Sequence, residues 1–398
     1  MTERLYFDDP YRTDFEATVV RRVEVDGKPG LILNQTCFYP TAGGQGCDHG
    51  FLNEIPVIEV LERDEEILHL LGGVINAREV RGRIDWKRRF DFMQQHSGQH
   101  VLSQSLFRVL GANTVSAHLG EETSTIEIAR KDLTQKEAKA AEELANKIVF
   151  ENRAIKTYFV SADEVKRIPL RRIPPHKERL RIVEVEAFDH IACGGTHCRQ
   201  TGEIGLIKVG RWEHIRKNVR LQFLCGGRAL LDYGWKSDVV EELADRYSAR
   251  GSDVLALVTK QADENKELGR NLRSLSERTI EFEARELLSK AMECGEIKLI
   301  QAVFDQRPFE ELKSLAARIV DAEPAVVLFG NRGQKAQLVF SCSEGLPYRM
   351  DELMSDACLR LDGRGGGSPQ LAFGGGRLAE KVEEAIQQVS ERIRKSLE

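Results

Sequence analysis

The sequence has no run of about 18 apolar residues, the length a bilayer-crossing helix needs, so no membrane span is expected. It has no dense cysteine framework either. Eight cysteines spread over 398 residues do not resemble the staples of a small secreted domain, and they read as reduced thiols of a cytoplasmic protein. The first residues, MTERLYFDDPYRTDF, lack a basic start followed by an apolar block, so no secretory leader is expected. Positive charge is not in excess: 58 Lys and Arg stand against 63 Asp and Glu, a formal net charge of -5. That excludes a polycation that coats nucleic acid indiscriminately, while leaving room for local basic patches. No GxxxxGK[ST] phosphate loop is present, which removes the commonest nucleotide-hydrolysing motif.

What is present is 41% hydrophobic and 30% charged residues, a globular composition long enough for two or three domains. From Thr18 to about Val80, short Val/Ile/Leu-rich stretches alternate with Gly and Asp turn signals, so residues 1–90 read as a small β-barrel-like domain. From Phe92 the apolar residues Val101, Leu102, Leu106 and Leu110 fall at helical spacing before Gly111, and a helix is predicted. Two strand patterns and the segment TQKEAKAAEELANKIVFEN follow, and residues 91–234 read as an α+β domain. Residues 235–295 read as a helical arm starting near Ser252 and Asp253 and reaching Cys294. Leu268, Leu272, Leu275, Thr279 and Phe282 give the arm a coiled-coil seam, interrupted earlier by Gln261 and Asn265. Residues 296–398 read as a separate small α/β domain. The whole is an α+β multidomain chain.

Two motifs carry chemistry. HSGQH places His96 and His100 four residues apart, on one face of a helix. CGGTH repeats that spacing with Cys193 and His197, in a glycine-rich setting that suggests a loop. A thiolate with up to three imidazoles favours Zn²⁺ over Mg²⁺ or Ca²⁺. The glutamate of HExxH is missing, so a zinc-protease base is not in place. Four protein ligands would close such a site and three would leave a position open; the spacing alone supports both. The loop QTCFYPTAGGQGCDHG, residues 35–50, is too polar for a strand interior, and Gly43 and Gly44 permit close backbone approach to a ligand. If it covers the metal, Thr36 and Gln45 are its best side chains for hydrogen-bonding a substrate. Between Lys166 and Arg181, seven Lys or Arg face a single acid, Glu178. This run is either a solvated loop bent by prolines or an RNA-binding patch.

FYPTAGGQGCDHG, MQQHSGQHVLSQSL and FDHIACGGTHCRQTGEIG resemble, in order and spacing, the editing domain of alanyl-tRNA synthetases and the free-standing AlaX-type editing proteins. GRGGGSPQLAFGGG, residues 363–376, resembles the glycine-rich signature of a DHHA1-type domain, so the chain is similar to the long form of AlaX. One departure is Thr41-Ala42, where the family pattern has Glu and a small residue. The resemblance implies hydrolysis of the ester joining a wrong amino acid, serine or in some members glycine, to alanine tRNA. It implies one zinc per chain on His96, His100, Cys193 and His197, with Asp189 either fixing a ligand tautomer or serving as a turn residue. It also implies a homodimer formed through the arm and the terminal domain. Alanine tRNA would be contacted by Lys166, Arg167, Arg171, Arg172 and Lys177 and by the tight glycine loop of Gly365, Gly366, Gly367, Gly374 and Gly375. A non-catalytic, zinc-stabilised tRNA-binding module is the competing expectation.

Overall fold

The computed structural model describes residues 2–170 and 179–396. The chain divides into two compact units, Met1–Arg246 and Tyr247–Glu398.

The first unit opens with a closed antiparallel barrel, in the order Asp14–Val25, Lys28–Leu33, Glu66–Leu71, Ile55–Arg63, Gly50–Leu52 and Glu79–Ile84. Strict alternation builds it: in Glu79–Ile84 every second residue, Val80, Gly82 and Ile84, faces inward. Phe15, Leu33, Phe38, Leu52 and Ile67 fill the interior. Phe15 lies where a side chain at position 82 would project, so glycine is required there.

The barrel leads into the helix Trp86–Leu110, which is the axis of the unit. Asp85 caps its start by accepting from Arg88 N at 3.2 Å, and Gly111 ends it in the left-handed region at φ 66°. The four-stranded sheet Ile207–Ile215, Asn218–Cys225, Ser124–Ile128, Thr114–Leu119 shares a core with this helix and with the helix Gln135–Phe150. A capping box between Thr134 and Glu137 starts the latter helix. The axial helix is buried over most of its circumference, with Gln95, His96, Ser97, Gln99 and His100 enclosed beside Met93 and Val101. Polar residues so enclosed need fixed partners. Gln95 has one, exchanging two hydrogen bonds with the backbone of Cys225 at 3.0 and 2.9 Å. A smaller sheet, Ile155–Ser161, Arg179–Val185 and Asp189–Ala192, delivers the chain to Cys193.

The sequence-based boundary at Gly234 falls inside a helix, Gly226–Tyr247. Gly234 has open space around it, and a single glycine in a helix exacts only about 1 kcal/mol, too little to end one.

In the second unit the arm helix runs Val254–Ser289 and stops short of Cys294, because Met292–Cys294 pairs as an edge strand with Ile297–Leu299. Ile280, Ala284 and Leu288 pack on the helix Phe309–Ala322 and the strands behind it. Leu268, Leu272, Leu275 and Phe282 stay between 59% and 72% exposed, so among the described residues of this unit the seam is largely uncovered. The sheet runs Met292–Cys294, Ile297–Asp305, Ala325–Arg332, Ala336–Cys342, Leu371–Gly376, Gly363–Gly367. The glycine-rich run, expected as a tight loop, is the hairpin of the last two strands. A Cβ at Gly365 or Gly374 would strike Cys358 Sγ and Met354 of the helix beneath. Close packing of sheet on helix therefore accounts for both glycines.

Candidate metal centre

His96 and His100 project from the axial helix, and Cys193 and His197 from the turn after Asp189–Ala192. Their four donor atoms lie within 4.8 Å of one another. Cys193 Sγ is 3.3 Å from His96 Nε2 and 3.4 Å from His197 Nε2. Tetrahedral zinc with S and N ligands has S···N edges of about 3.6 Å, so the donor set fits that ion.

Two of the spare nitrogens, those of His96 and His197, are held. His96 Nδ1 is 2.8 Å from Gln45 Oε1; a ring that donates there presents the lone pair of Nε2 to the cluster. Gln45 is itself fixed, donating to Thr196 Oγ1 at 2.9 Å and accepting from Thr196 N at 3.4 Å. Ser97 Oγ lies 3.3 Å from His197 Nδ1 and accepts from Cys198 N at 3.0 Å. Such partners orient metal-binding imidazoles and set their tautomers. Gly195 has no alternative, since a Cβ would occupy the His96 ring.

Burial, reinforced by the Arg181 charge, lowers His96 to about 3. Burial first, then His96, His100 and Arg181, holds His197 well below the ordinary range. Both rings are therefore neutral at physiological pH and could offer lone pairs to a metal. Burial raises the Cys193 thiol, against the opposing pull of Gly195 N–H and Arg181. A divalent cation is the natural counter-charge for a thiolate there.

His96 and Cys193, with Gly194 and Gly195, form one wall of a cavity of about 370 Å³, closed elsewhere by Tyr39, Ala42 and Gly43 of the 35–50 loop and by Phe7, Phe159 and Arg181. That loop does reach the centre, but not through Thr36. Thr36 is fully buried, 2.8 Å from His69 Nε2, and accepts from Phe38 N at 3.0 Å. His69 Nδ1 is 3.1 Å from Leu31 O. Both capacities of the Thr36 hydroxyl are used inside the barrel, and it does not line the cavity. Gln45 is buried behind His96, where it orients the imidazole. Of the two glycines, Gly43 lines the cavity, while Gly44 lies against Ala117 O and binds Leu119 N at 2.8 Å. Asp189 is buried at the start of the strand leading to Cys193.

Arg171, Arg172 and Lys177 lie outside the described residues. Lys166 and Arg167 are exposed, and Lys166 pairs with Asp163 at 2.9 Å. Two residues were missed. Arg181, counted in the basic run, is only 6% exposed and donates from Nη1 to Cys193 O at 3.1 Å and Gly195 O at 2.8 Å. Arg89 forms a buried pair with Asp48 at 2.5 Å and donates to Pro10 O and Cys37 O, tying the axial helix to the loop. Nothing in composition distinguishes these arginines from surface ones; strand alternation in RLRIVEV would have raised the question for Arg181 alone.

Residues 180–221 match the threonyl and alanyl tRNA synthetase second additional domain, and residues 296–395 match the DHHA1 domain. The alanyl-tRNA editing protein AlaX-L of Pyrococcus horikoshii is 29% identical, with all of both chains covered. The alanine–tRNA ligase of Methanoregula boonei is 33% identical over 98% of this chain and 43% of its own length. The chain thus spans under half of that ligase. The C-Ala domain of the Aquifex aeolicus alanyl-tRNA synthetase is 29% identical over 26% of this chain and 97% of that domain, at a TM-score of 0.25. Over its whole length the chain is thus similar to an alanyl-tRNA editing protein, and it combines in one polypeptide a segment of the synthetase second additional domain with a DHHA1 domain.

Proposed function

We propose that this chain hydrolyses the aminoacyl ester of mischarged alanine tRNA, the seryl ester foremost and the glycyl ester second, with one zinc held by His96, His100, Cys193 and His197. The observation that carries the reading is the cavity: two of the four donors, His96 and Cys193, form part of its wall. A donor set buried for purely structural ends needs no such access.

Zinc held there would supply a fixed positive charge able to stabilise the negative charge that develops on the ester oxygen. The protein does the rest. Gln45 and Ser97 fix two ligand rings, while Arg181 holds the Cys193–Gly195 turn through its carbonyls. The cavity, open on one side, positions the ester against the wall formed by His96 and Cys193. Selectivity follows from polarity: a synthetic site shaped for alanine rejects an added hydroxyl poorly, whereas a second site that hydrogen-bonds the hydroxyl loses pairing when alanine enters.

The arm seam is proposed to pair two chains, and the basic residues Lys166 and Arg167 with the glycine hairpin to contact the tRNA body. A cytoplasmic location accords with this substrate. The test is deacylation of seryl- and alanyl-charged alanine tRNA by the zinc-loaded chain. Rapid loss of the seryl ester with the alanyl ester spared is expected. Tight tRNA binding without hydrolysis of either would leave a zinc-stabilised binding module instead.

A further inference from the structure

Arg89 and Asp48 form an ion pair whose side chains are 0% and 1% exposed. They meet side-on, Arg89 Nε donating to Asp48 Oδ1 at 3.1 Å and Nη2 to Oδ2 at 2.5 Å. Such a pair adds little stability over apolar side chains of like volume, because stripping water from both charges offsets much of their attraction. What apolar side chains cannot do is bind backbone. Arg89 also donates from Nη1 to Pro10 O at 2.7 Å and from Nη2 to Cys37 O at 2.5 Å, and Asp48 Oδ2 accepts from Tyr39 N at 2.6 Å.

These bonds join three separate stretches of chain that build the cavity. Arg89 stands seven residues, about two turns, before His96, so both face the same side of the axial helix. Pro10 follows the short helix Leu5–Asp8, which carries Phe7, and Cys37 precedes Tyr39, Ala42 and Gly43; Phe7 and those three residues line the cavity opposite His96. Asp48 N donates back to Tyr39 O at 3.0 Å, which closes the base of the loop. The Gln45 end of the same loop has anchors of its own, Thr196 and the bond from Leu119 N to Gly44 O. One guanidinium therefore ties the Tyr39 side of the loop and the Phe7 segment to the helix that bears two of the metal donors, without itself lining the cavity.

We propose that the Arg89–Asp48 pair is a positioning element of the proposed hydrolysis. It fixes the spacing between the Phe7 and Tyr39 side of the cavity and the His96 side, and through that spacing the selectivity for the seryl over the alanyl ester. The pair contacts no substrate, and no bond is made or broken at it. The inference rests on the proposed function for its kinetic readout alone; the placing of the loop is read separately.

The test uses the full zinc-loaded chain. Arg89→Met alone strands the Asp48 carboxylate and is expected to destabilise the fold, so the decisive variant combines Arg89→Met with Asp48→Leu, which fills the space and removes both charges. Its urea midpoint should stay close to that of the wild type, and it should retain one zinc per chain. Its kcat on the seryl ester should fall about 100-fold with KM little changed, the signature of misplaced reacting groups. The seryl-over-alanyl ratio should fall about tenfold or more. Amide hydrogen exchange over residues 37–41 should quicken about tenfold while the axial helix stays protected. Arg89→Lys, which keeps the charge and loses the planar fork, should lose selectivity as the double variant does.

Wild-type kcat and selectivity in the double variant overturn the proposal. Loss of zinc from it would make the pair a support of the metal centre, and failure to fold would make it a support of the fold; either result overturns the proposal as well. A wild-type chain that hydrolyses no aminoacyl ester defeats the proposed function instead. Quickened exchange over residues 37–41 in the folded double variant would then leave the anchoring of the loop standing, and unchanged exchange would end it.

Discussion

Two groups of histidine in the first unit are equally buried and differ in what their nitrogens meet. His69, inside the barrel, is lowered to about 4 by burial, and both nitrogens are occupied, by Thr36 and by Leu31 O. His96 is lowered to about 3 by the same cause, but only Nδ1 has an outside partner, while Nε2 converges with Cys193 Sγ and the other rings. Burial and neutrality alone therefore do not make a site. The distinction lies in lone pairs left pointing at a common centre.

The sharpest way to break the comparison is at Cys193. Cys193→Ala removes the anionic donor, and zinc retention and seryl-ester hydrolysis should both fall to background, measured by metal analysis and deacylation. Gln45→Leu leaves the donors in place and removes the support of His96; metal affinity should drop about 10- to 100-fold, as read by chelator competition. At the other histidine the consequences are for folding alone. Thr36→Val strands His69 Nε2 and Phe38 N–H, so unfolding free energy should decrease by about 1–3 kcal/mol with seryl over alanyl selectivity unchanged. A change in selectivity with no loss of stability would return Thr36 to the substrate pocket.

The smallest effect concerns pH. Burial holds His69 at about 4 in the folded chain, against about 6.5 for an ordinary imidazole, so below 6.5 the unfolded chain takes up a proton that the native barrel refuses. The unfolded state then binds more protons, and stability falls with decreasing pH from 6.5 until the folded value is reached. At pH 5 the loss from this residue is about 2 kcal/mol. His69→Gln, able to accept from Thr36 and donate to Leu31 O, should shrink the difference between urea midpoints at pH 7 and pH 5.

The sequence was most informative where local rules govern. Gly111 stops the axial helix, Thr134 and Glu137 start the next, and HSGQH with CGGTH converge as helix spacing and ligand chemistry require. It was least informative where tertiary contacts decide. Thr36 and Gln45 look alike in a polar loop, and only the chain's path sends one into the barrel and the other behind His96. Arg181 looks like its neighbours in a basic run until strand pairing turns it inward. The glycines of residues 363–376 suggest a loop, yet their spacing lets a hairpin lie on Met354 and Cys358.

The most direct test of the central claim is X-ray absorption at the zinc edge on the purified chain, with metal stoichiometry measured on the same sample. One zinc per chain is expected, with one sulfur at about 2.3 Å and nitrogen ligands at about 2.0 Å. A stoichiometric zinc with no sulfur neighbour, or a chain that hydrolyses the seryl ester with no metal bound, would contradict it.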